Sequence, residues 1–313
     1  MINLPKKVLV REVTLRDGIQ NIKEWIPTET KIKLADMLTD CGLQVIEATS
    51  FVHPKWIPQL KDAEDVLKGI KRSSNTKYLA LVPNLKGVER AVNSAGVDGV
   101  GITMSVSETH NHKNLGMSRK DSMEQAKKAF QLANENGLEF VGGTAVAFGC
   151  PMEGDVSFDD LYWVASHYAE IGIKTIRLGD STGMADPRQI MEHVSKLKEK
   201  LPDITFNLHL HNTRGMGLAN VLAGMEAGVD FFDGTICGLG GCPYAPGATG
   251  NIDTIDLVHM LHRMNIETGI NLKKLIEVGK FVESVMSNKL HSNVLRAGTV
   301  EDLHDPSSVQ CPK

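Results

Sequence analysis

The chain has 313 residues, 42% hydrophobic and 23% charged, with a formal net charge of −4. That length fits two ordinary domains or one large α/β barrel, and the slight acidity gives no general attraction to nucleic acid or an anionic membrane, so neither is an expected partner. Five cysteines are an odd and sparse set, and the short apolar start is too brief for a signal peptide; with no run near the ~18 apolar residues of a membrane span, a reducing, cytoplasmic setting is expected.

The first strand is expected at residues 8–13. It runs into Thr14-Leu15-Arg16-Asp17-Gly18-Ile19-Gln20-Asn21, an Arg–Asp pair followed by a glycine turn. The plain alternative there is a surface loop with a capping Asp. Apolar residues at three- and four-residue spacing predict a helix around 31–38, closing at Asp40-Cys41-Gly42. Strand two, at 45–48, ends in Glu47-Ala48-Thr49-Ser50. A glutamate closing an apolar strand calls for a cationic neighbour. Strands follow at 78–82, 99–104 and 139–146, then a helix around 161–168. Strand six, at 175–178, leads into Gly179-Asp180-Ser181-Thr182-Gly183, placing Asp180 at a strand end, with helix capping as its ordinary alternative.

Strand seven, at 205–211, is the most informative stretch. Its side-chain period of two sends His209 and His211 off one face, about 7 Å apart at Cα, while Leu208 and Leu210 point the other way. Paired imidazoles on one face suit a metal; the alternative is two core histidines bonded to backbone carbonyls. Strand eight, at 231–235, enters the glycine-dense run from Gly234 to Asn251. Cys237 and Cys242 lie five positions apart there with no second pair, which argues against structural zinc. A thiol on a mobile glycine loop suits a proton donor or acceptor on a lid; the alternative is an incidental small residue. Asn251 precedes a helix, where capping is its ordinary role. The last helices, about 272–286, are expected to pack on the barrel.

Strict strand–helix alternation implies parallel strands, and eight such units predict a (β/α)8 TIM barrel with additional C-terminal helices. A doubly wound sheet is the rival, but no Gly-x-Gly-x-x-Gly follows strand one. One catalytic domain is expected over residues 1–296, with 297–313 a loosely held tail. In a barrel, chemistry sits where strands enter the following loops, which is where the unusual residues fall. Asp17, His209, His211 and Asn251 make the metal-ligand set that suggests itself. Two oxygen and two imidazole ligands fit an octahedral Mg²⁺ or Mn²⁺ better than tetrahedral zinc, with zinc and Co²⁺ as alternatives.

These residues resemble the 3-hydroxy-3-methylglutaryl-CoA lyase family, within the metal-dependent lyase and Claisen-condensing barrel superfamily. The resemblance rests on Arg16-Asp17-Gly18-Ile19-Gln20-Asn21, Thr49-Ser50-Phe51-Val52-His53-Pro54-Lys55-Trp56, Val82-Pro83-Asn84, Gly149-Cys150-Pro151, the His209/His211 strand and Gly238-Leu239-Gly240-Gly241-Cys242-Pro243-Tyr244-Ala245. It implies the same four metal ligands, Arg16 and Cys242 as catalytic residues, and Glu47 and Asp180 as further active-site acids. It also implies an acyl-CoA thioester substrate, with Lys23 and Gln20 on the CoA side, a homodimer or higher homo-oligomer, and a place in leucine degradation and ketone-body formation. The chain departs from the family pattern at Thr14-Leu15, where Gly-Pro is usual, and at Val141-Gly142-Gly143, where Arg-Gly-Tyr is usual and where the change is expected at the barrel mouth. After Asn251 it has Asp253-Thr254-Ile255-Asp256 in place of Ala-Thr-Glu-Asp. The expected reaction is cleavage of 3-hydroxy-3-methylglutaryl-CoA to acetyl-CoA and acetoacetate. Citramalyl-CoA is the runner-up substrate. A condensing synthase ranks lower, because synthases usually add a C-terminal extension. A catalytically silent binding protein ranks last, since it predicts loss of a ligand or of Arg16.

Overall fold

Eight parallel strands close into a barrel in the order β1-β8-β7-β6-β5-β4-β3-β2, with helices outside. The strands are β1 (Leu9–Glu12), β2 (Val45–Ser50), β3 (Lys77–Leu81), β4 (Gly99–Ser105), β5 (Glu139–Ala145), β6 (Thr175–Asp180), β7 (Thr205–Leu210) and β8 (Phe231–Gly234). The computed structural model describes residues 4–241, 250–286 and 290–303. This is the (β/α)8 architecture the alternation predicts. Of the expected tail, residues 304–313 lie outside the described residues.

The helices form where spacing and caps agree. Helix α1 (Thr28–Asp40) buries Lys31, Leu34, Ala35 and Leu38, all on one face. Helices α2 (Ala63–Gly69), α3 (Leu85–Val92), α4 (Glu108–Leu115) and α5 (Arg119–Glu135) follow; Ser118 caps α5 by accepting from the Asp121 N–H. Helix α6 (Phe158–Glu170) buries Leu161, Val164, Ala165 and Tyr168 and starts at a Ser157 cap. Helices α7 (Pro187–Lys200), α8 (Gly217–Glu226), α9 (Thr254–Arg263), α10 (Leu272–Val285) and α11 (Asn293–Ala297) complete the described order. The helix-ending glycines 42, 137, 172 and 228 all take positive φ, as expected for left-handed C-caps.

Three features were not expected. Strands β2 and β6 run two residues further than their apolar cores, because polar Thr49, Ser50, Gly179 and Asp180 still pair in the sheet, with a bulge between Glu47 and Thr49. A short antiparallel ribbon, Gly149–Cys150 with Gly154–Asp155, follows β5. Of the strand-five substitution, Val141 and Gly142 lie away from the mouth, while Gly143 pairs with Arg177 in the sheet. Val141 belongs to an apolar cluster with Val45 and Leu79, backed by Leu9. A Cβ on Gly142 would lie 2.9 Å from the Tyr168 ring.

One inward position further along the same strands, the interior becomes charged. Arg11, Glu47, Arg177, Asn207 and Asp233 are all buried there. The sheet register sets Arg11 beside Asp233, Asp233 beside His209, and Arg177 beside Asn207. This layer is the floor of the site.

Candidate active site

The turn after β1 is a single π-turn over Thr14–Gly18, every residue of it buried. It is closed by bonds from the Gly18 N–H to the Val13 carbonyl (3.2 Å) and from the Ile19 N–H to the Thr14 carbonyl (3.0 Å). Glu12 anchors its start, accepting from the Thr14 N–H (2.8 Å) and hydroxyl (2.7 Å). The turn presents Arg16 and Asp17 side by side: the Arg16 guanidinium donates to Asp17 and, at 2.5 Å, to Glu47. Glu47 also takes a fork of two bonds from Arg177, at 3.0 and 3.3 Å. The cationic neighbour expected for Glu47 is therefore a pair of arginines. Burial alone would raise the Glu47 carboxyl, but Arg16 and Arg177 hold it down at about 2. Burial likewise works against ionised Asp17, yet Arg16, His209 and His211 keep its carboxyl far below the usual range.

The imidazoles of His209 and His211 face each other, Nε2 to Nε2, at 3.3 Å. Both approach Asp17 Oδ2, at 3.8 and 3.9 Å. These three are the metal-competent cluster found among the described residues. The three atoms lie within 3.9 Å of one another, close enough to share one cation. Asn251 joins them through its Nδ2, which donates to Asp17 Oδ2 at 2.6 Å, while its Oδ1 is buried without a hydrogen-bond partner. Capping is not its role: Asp253 caps α9, accepting from the N–H groups of Ile255 and Asp256. The orphaned amide oxygen, the carboxylate and two imidazole nitrogens are a donor set that fits a divalent cation. Burial, with His209 alongside, pushes the His211 imidazole down to about 4, so it is neutral and able to ligate at neutral pH.

Asp180, at the end of β6, serves two ends. Its Oδ1 accepts from the Met184 (2.8 Å) and Ala185 (3.3 Å) N–H groups of the turn that follows; it caps no helix, since α7 is capped by Asp186. Its Oδ2 is buried with no partner, and burial lifts the carboxyl to about 6 against those two bonds. Gln20 donates to Asp17 Oδ1 at 2.8 Å. Lys23 is exposed on the loop before α1. Gln59 clamps that loop, accepting from the Ile26 N–H and donating to the carbonyls of Ile22 and Glu24. Beside it is a cleft of about 360 Å³ lined by residues that include Trp25, Ile26, Val285 and Met286.

Cys242 lies outside the described residues. The chain two positions earlier reaches the site: Gly240 has φ 114°, and a Cβ there would meet Asn251 Nδ2 at 2.6 Å and Asp17 Oδ2 at 3.3 Å. Sequence reasoning missed Arg11 and Asp233. Each is a charged residue at the centre of an apolar strand, the same signal that singled out Glu47.

A family model described as HMGL-like matches residues 7–282. A hydroxymethylglutaryl-CoA lyase of Bacillus subtilis is 43% identical over 292 residues, covering 93% of this chain and 97% of that protein. The human mitochondrial hydroxymethylglutaryl-CoA lyase is 41% identical over 297 residues, 95% of this chain and 91% of that one. An HMG-CoA lyase from Acinetobacter baumannii, solved with coenzyme A and 3-methylmalate, superimposes with a TM-score of 0.92 at 40% identity, covering 97% of this chain and 99% of that one. Similarity of this depth over nearly the full length, on a barrel that carries its unusual residues at one mouth, makes the chain a member of the HMGL-like family.

Proposed function

We propose that this chain is a lyase that cleaves 3-hydroxy-3-methylglutaryl-CoA to acetyl-CoA and acetoacetate, with a divalent cation, Mg²⁺ or Mn²⁺, held by Asp17, His209, His211 and Asn251. The observation that carries the reading is the convergence of Asp17, His209 and His211 beside Arg16 at the barrel mouth. Relatives at about 40% identity are named for this substrate, which ranks it above the shorter citramalyl-CoA.

Breaking the carbon–carbon bond next to the carbinol requires the tertiary hydroxyl to lose its proton as its oxygen becomes a ketone. The bonding pair leaves as a thioester enolate, which must be held and then protonated. When bound, the divalent cation supplies the positive charge that lowers the hydroxyl pKa. Asp180, with its unpartnered Oδ2 and a carboxyl near 6, is the base for that proton. Arg16 is held rigidly between Asp17 and Glu47 and stabilises the enolate oxygen without reorganising. Cys242 protonates the enolate carbon. Lys23 and the cleft beside it receive the CoA portion, and Gln20 steadies Asp17 at the edge of that path. The active form is a homodimer or higher homo-oligomer in the cytoplasm; no helix among the described residues is long and apolar enough to cross a membrane.

The deciding experiment is product analysis by mass spectrometry on a panel of β-hydroxyacyl-CoA thioesters, before and after metal removal. Acetoacetate and acetyl-CoA from the six-carbon acyl substrate, lost on chelation and restored by Mg²⁺ or Mn²⁺, are expected. Pyruvate from citramalyl-CoA as the preferred product, or undiminished turnover after exhaustive metal removal, would overturn the reading.

A further inference from the structure

Asp233 is a buried carboxylate with partners on three other strands. It is 1% exposed. Arg11 donates to it twice, from Nε at 2.9 Å and Nη2 at 2.8 Å. Asn207 donates from Nδ2 at 2.9 Å, and Arg177 Nη1 stands 3.7 Å away. The remaining contact is to His209, whose Nδ1 lies 3.0 Å from Asp233 Oδ2. A carboxylate between two guanidiniums stays ionised and can only accept, so the proton on that last contact belongs to His209 Nδ1. With Nδ1 so engaged, the other ring nitrogen of His209, Nε2, is the atom 3.3 Å from His211 Nε2. His211 has no comparable partner: its Nδ1 is buried and unbonded among the described residues.

We propose that Asp233 is a positioning residue, which fixes His209 in the Nδ1–H tautomer and turns its Nε2 toward the face shared by Asp17 and His211, while Arg11 and Asn207 hold Asp233 in place. The proposal rests on the reading of that face as a divalent-cation site. Arg177 ties the arrangement to the rest of the floor, since it also forks onto Glu47, which in turn holds Arg16. One buried network thus orients both a ligand and the arginine beside it. The competing role is purely structural, with Asp233 as counter-ion to Arg11 and Arg177.

The two roles separate in Mn²⁺ affinity. The free ion is followed by electron paramagnetic resonance as Mn²⁺ is titrated into the full chain. The folded Asp233→Asn variant should bind Mn²⁺ about 10- to 100-fold more weakly than wild type, the usual cost of losing a partner that orients a ligand. A purely structural residue would lower the unfolding temperature and leave that affinity unchanged, and equal affinity overturns the proposal. Because Asp233→Asn risks misfolding, a second measurement uses the metal-free wild type. In ¹⁵N-histidine-labelled protein, with His209 assigned by the signal lost in His209→Gln, the proton should reside on Nδ1; an Nε2–H tautomer overturns the proposal independently. Wild type that takes up no Mn²⁺ instead overturns the metal reading on which the proposal rests.

Discussion

Along β1 and β2 the interior changes character within two residues, from Leu9 to Arg11 and from Val45 to Glu47. Toward the N-terminal end, Val45, Leu79 and Val141 meet with Leu9 in an apolar layer. One inward position later, Arg11, Glu47, Arg177 and Asp233 form a buried ionic layer, and the Asp17, His209 and His211 cluster sits above it. The two layers are stabilised by different rules. Apolar contacts are non-directional and tolerate substitutions that keep volume. Buried ion pairs tolerate almost no single change, because removing one partner leaves the other charged and dry. Stability and chemistry are thus stacked along one axis, and a mutation's height in the barrel predicts which of them it damages.

The sharpest break in that division comes at the top. His209→Ala should abolish Mn²⁺-dependent turnover and lower Mn²⁺ affinity in a direct titration while the circular dichroism spectrum stays that of wild type. Preserved metal affinity would place the ion elsewhere. Arg16→Gln should lower kcat by about 10²- to 10³-fold with Mn²⁺ affinity nearly intact, since the lost donor acts on charge that develops in the transition state. A change confined to KM would make Arg16 a substrate-binding residue only.

The lower layer should answer in the opposite currency. Leu79→Ala deletes buried apolar atoms and should cost about 2–5 kcal/mol in urea unfolding. Its kcat, measured where the variant is folded, should match wild type. A rate loss there would show that the layers are coupled mechanically.

Acid tests the ionic layer. The Glu47 carboxyl is depressed to about 2 from an ordinary 4.5, so the stability it contributes is fully present above 4.5 and is lost as pH falls toward 2. Glu47→Gln should therefore flatten the fall in stability across that interval, read from urea midpoints at successive pH values. An unchanged acid limb would mean that other carboxylates carry it. The smallest effect belongs to neither layer. Ser118→Ala removes the side-chain cap of α5 and should cost about 1 kcal/mol with no change in rate.

The sequence makes the scaffold easy to read, because strand and helix periodicities alternate cleanly and glycines punctuate the helix ends. It also exposes the residues whose oddity is local: two imidazoles on one strand face, an Arg–Asp pair after a strand, an acid closing an apolar run. What stayed hidden depends on contacts between strands far apart in sequence. Arg11 and Asp233 are 222 positions apart, and nothing near either one announces its partner. Val141 misled for the same reason. A position along a strand translates into height in the barrel only once the stagger between neighbouring strands is known. The π-turn was also illegible, since its five residues carry no pattern that separates a wide turn from an ordinary loop.

That turn has a consequence for how the site could be lost. A π-turn holds one residue more than an α-turn spanning the same gap, and each residue in an α-helical segment advances the side-chain direction by about 100°. In this wide turn Arg16 reaches both Asp17 and Glu47. Deleting a single codon within the turn would let the backbone relax into the commoner geometry, with no strand or helix disturbed. The product would be a folded barrel whose arginine and aspartate no longer look the same way, a protein that survives quality control yet does no chemistry.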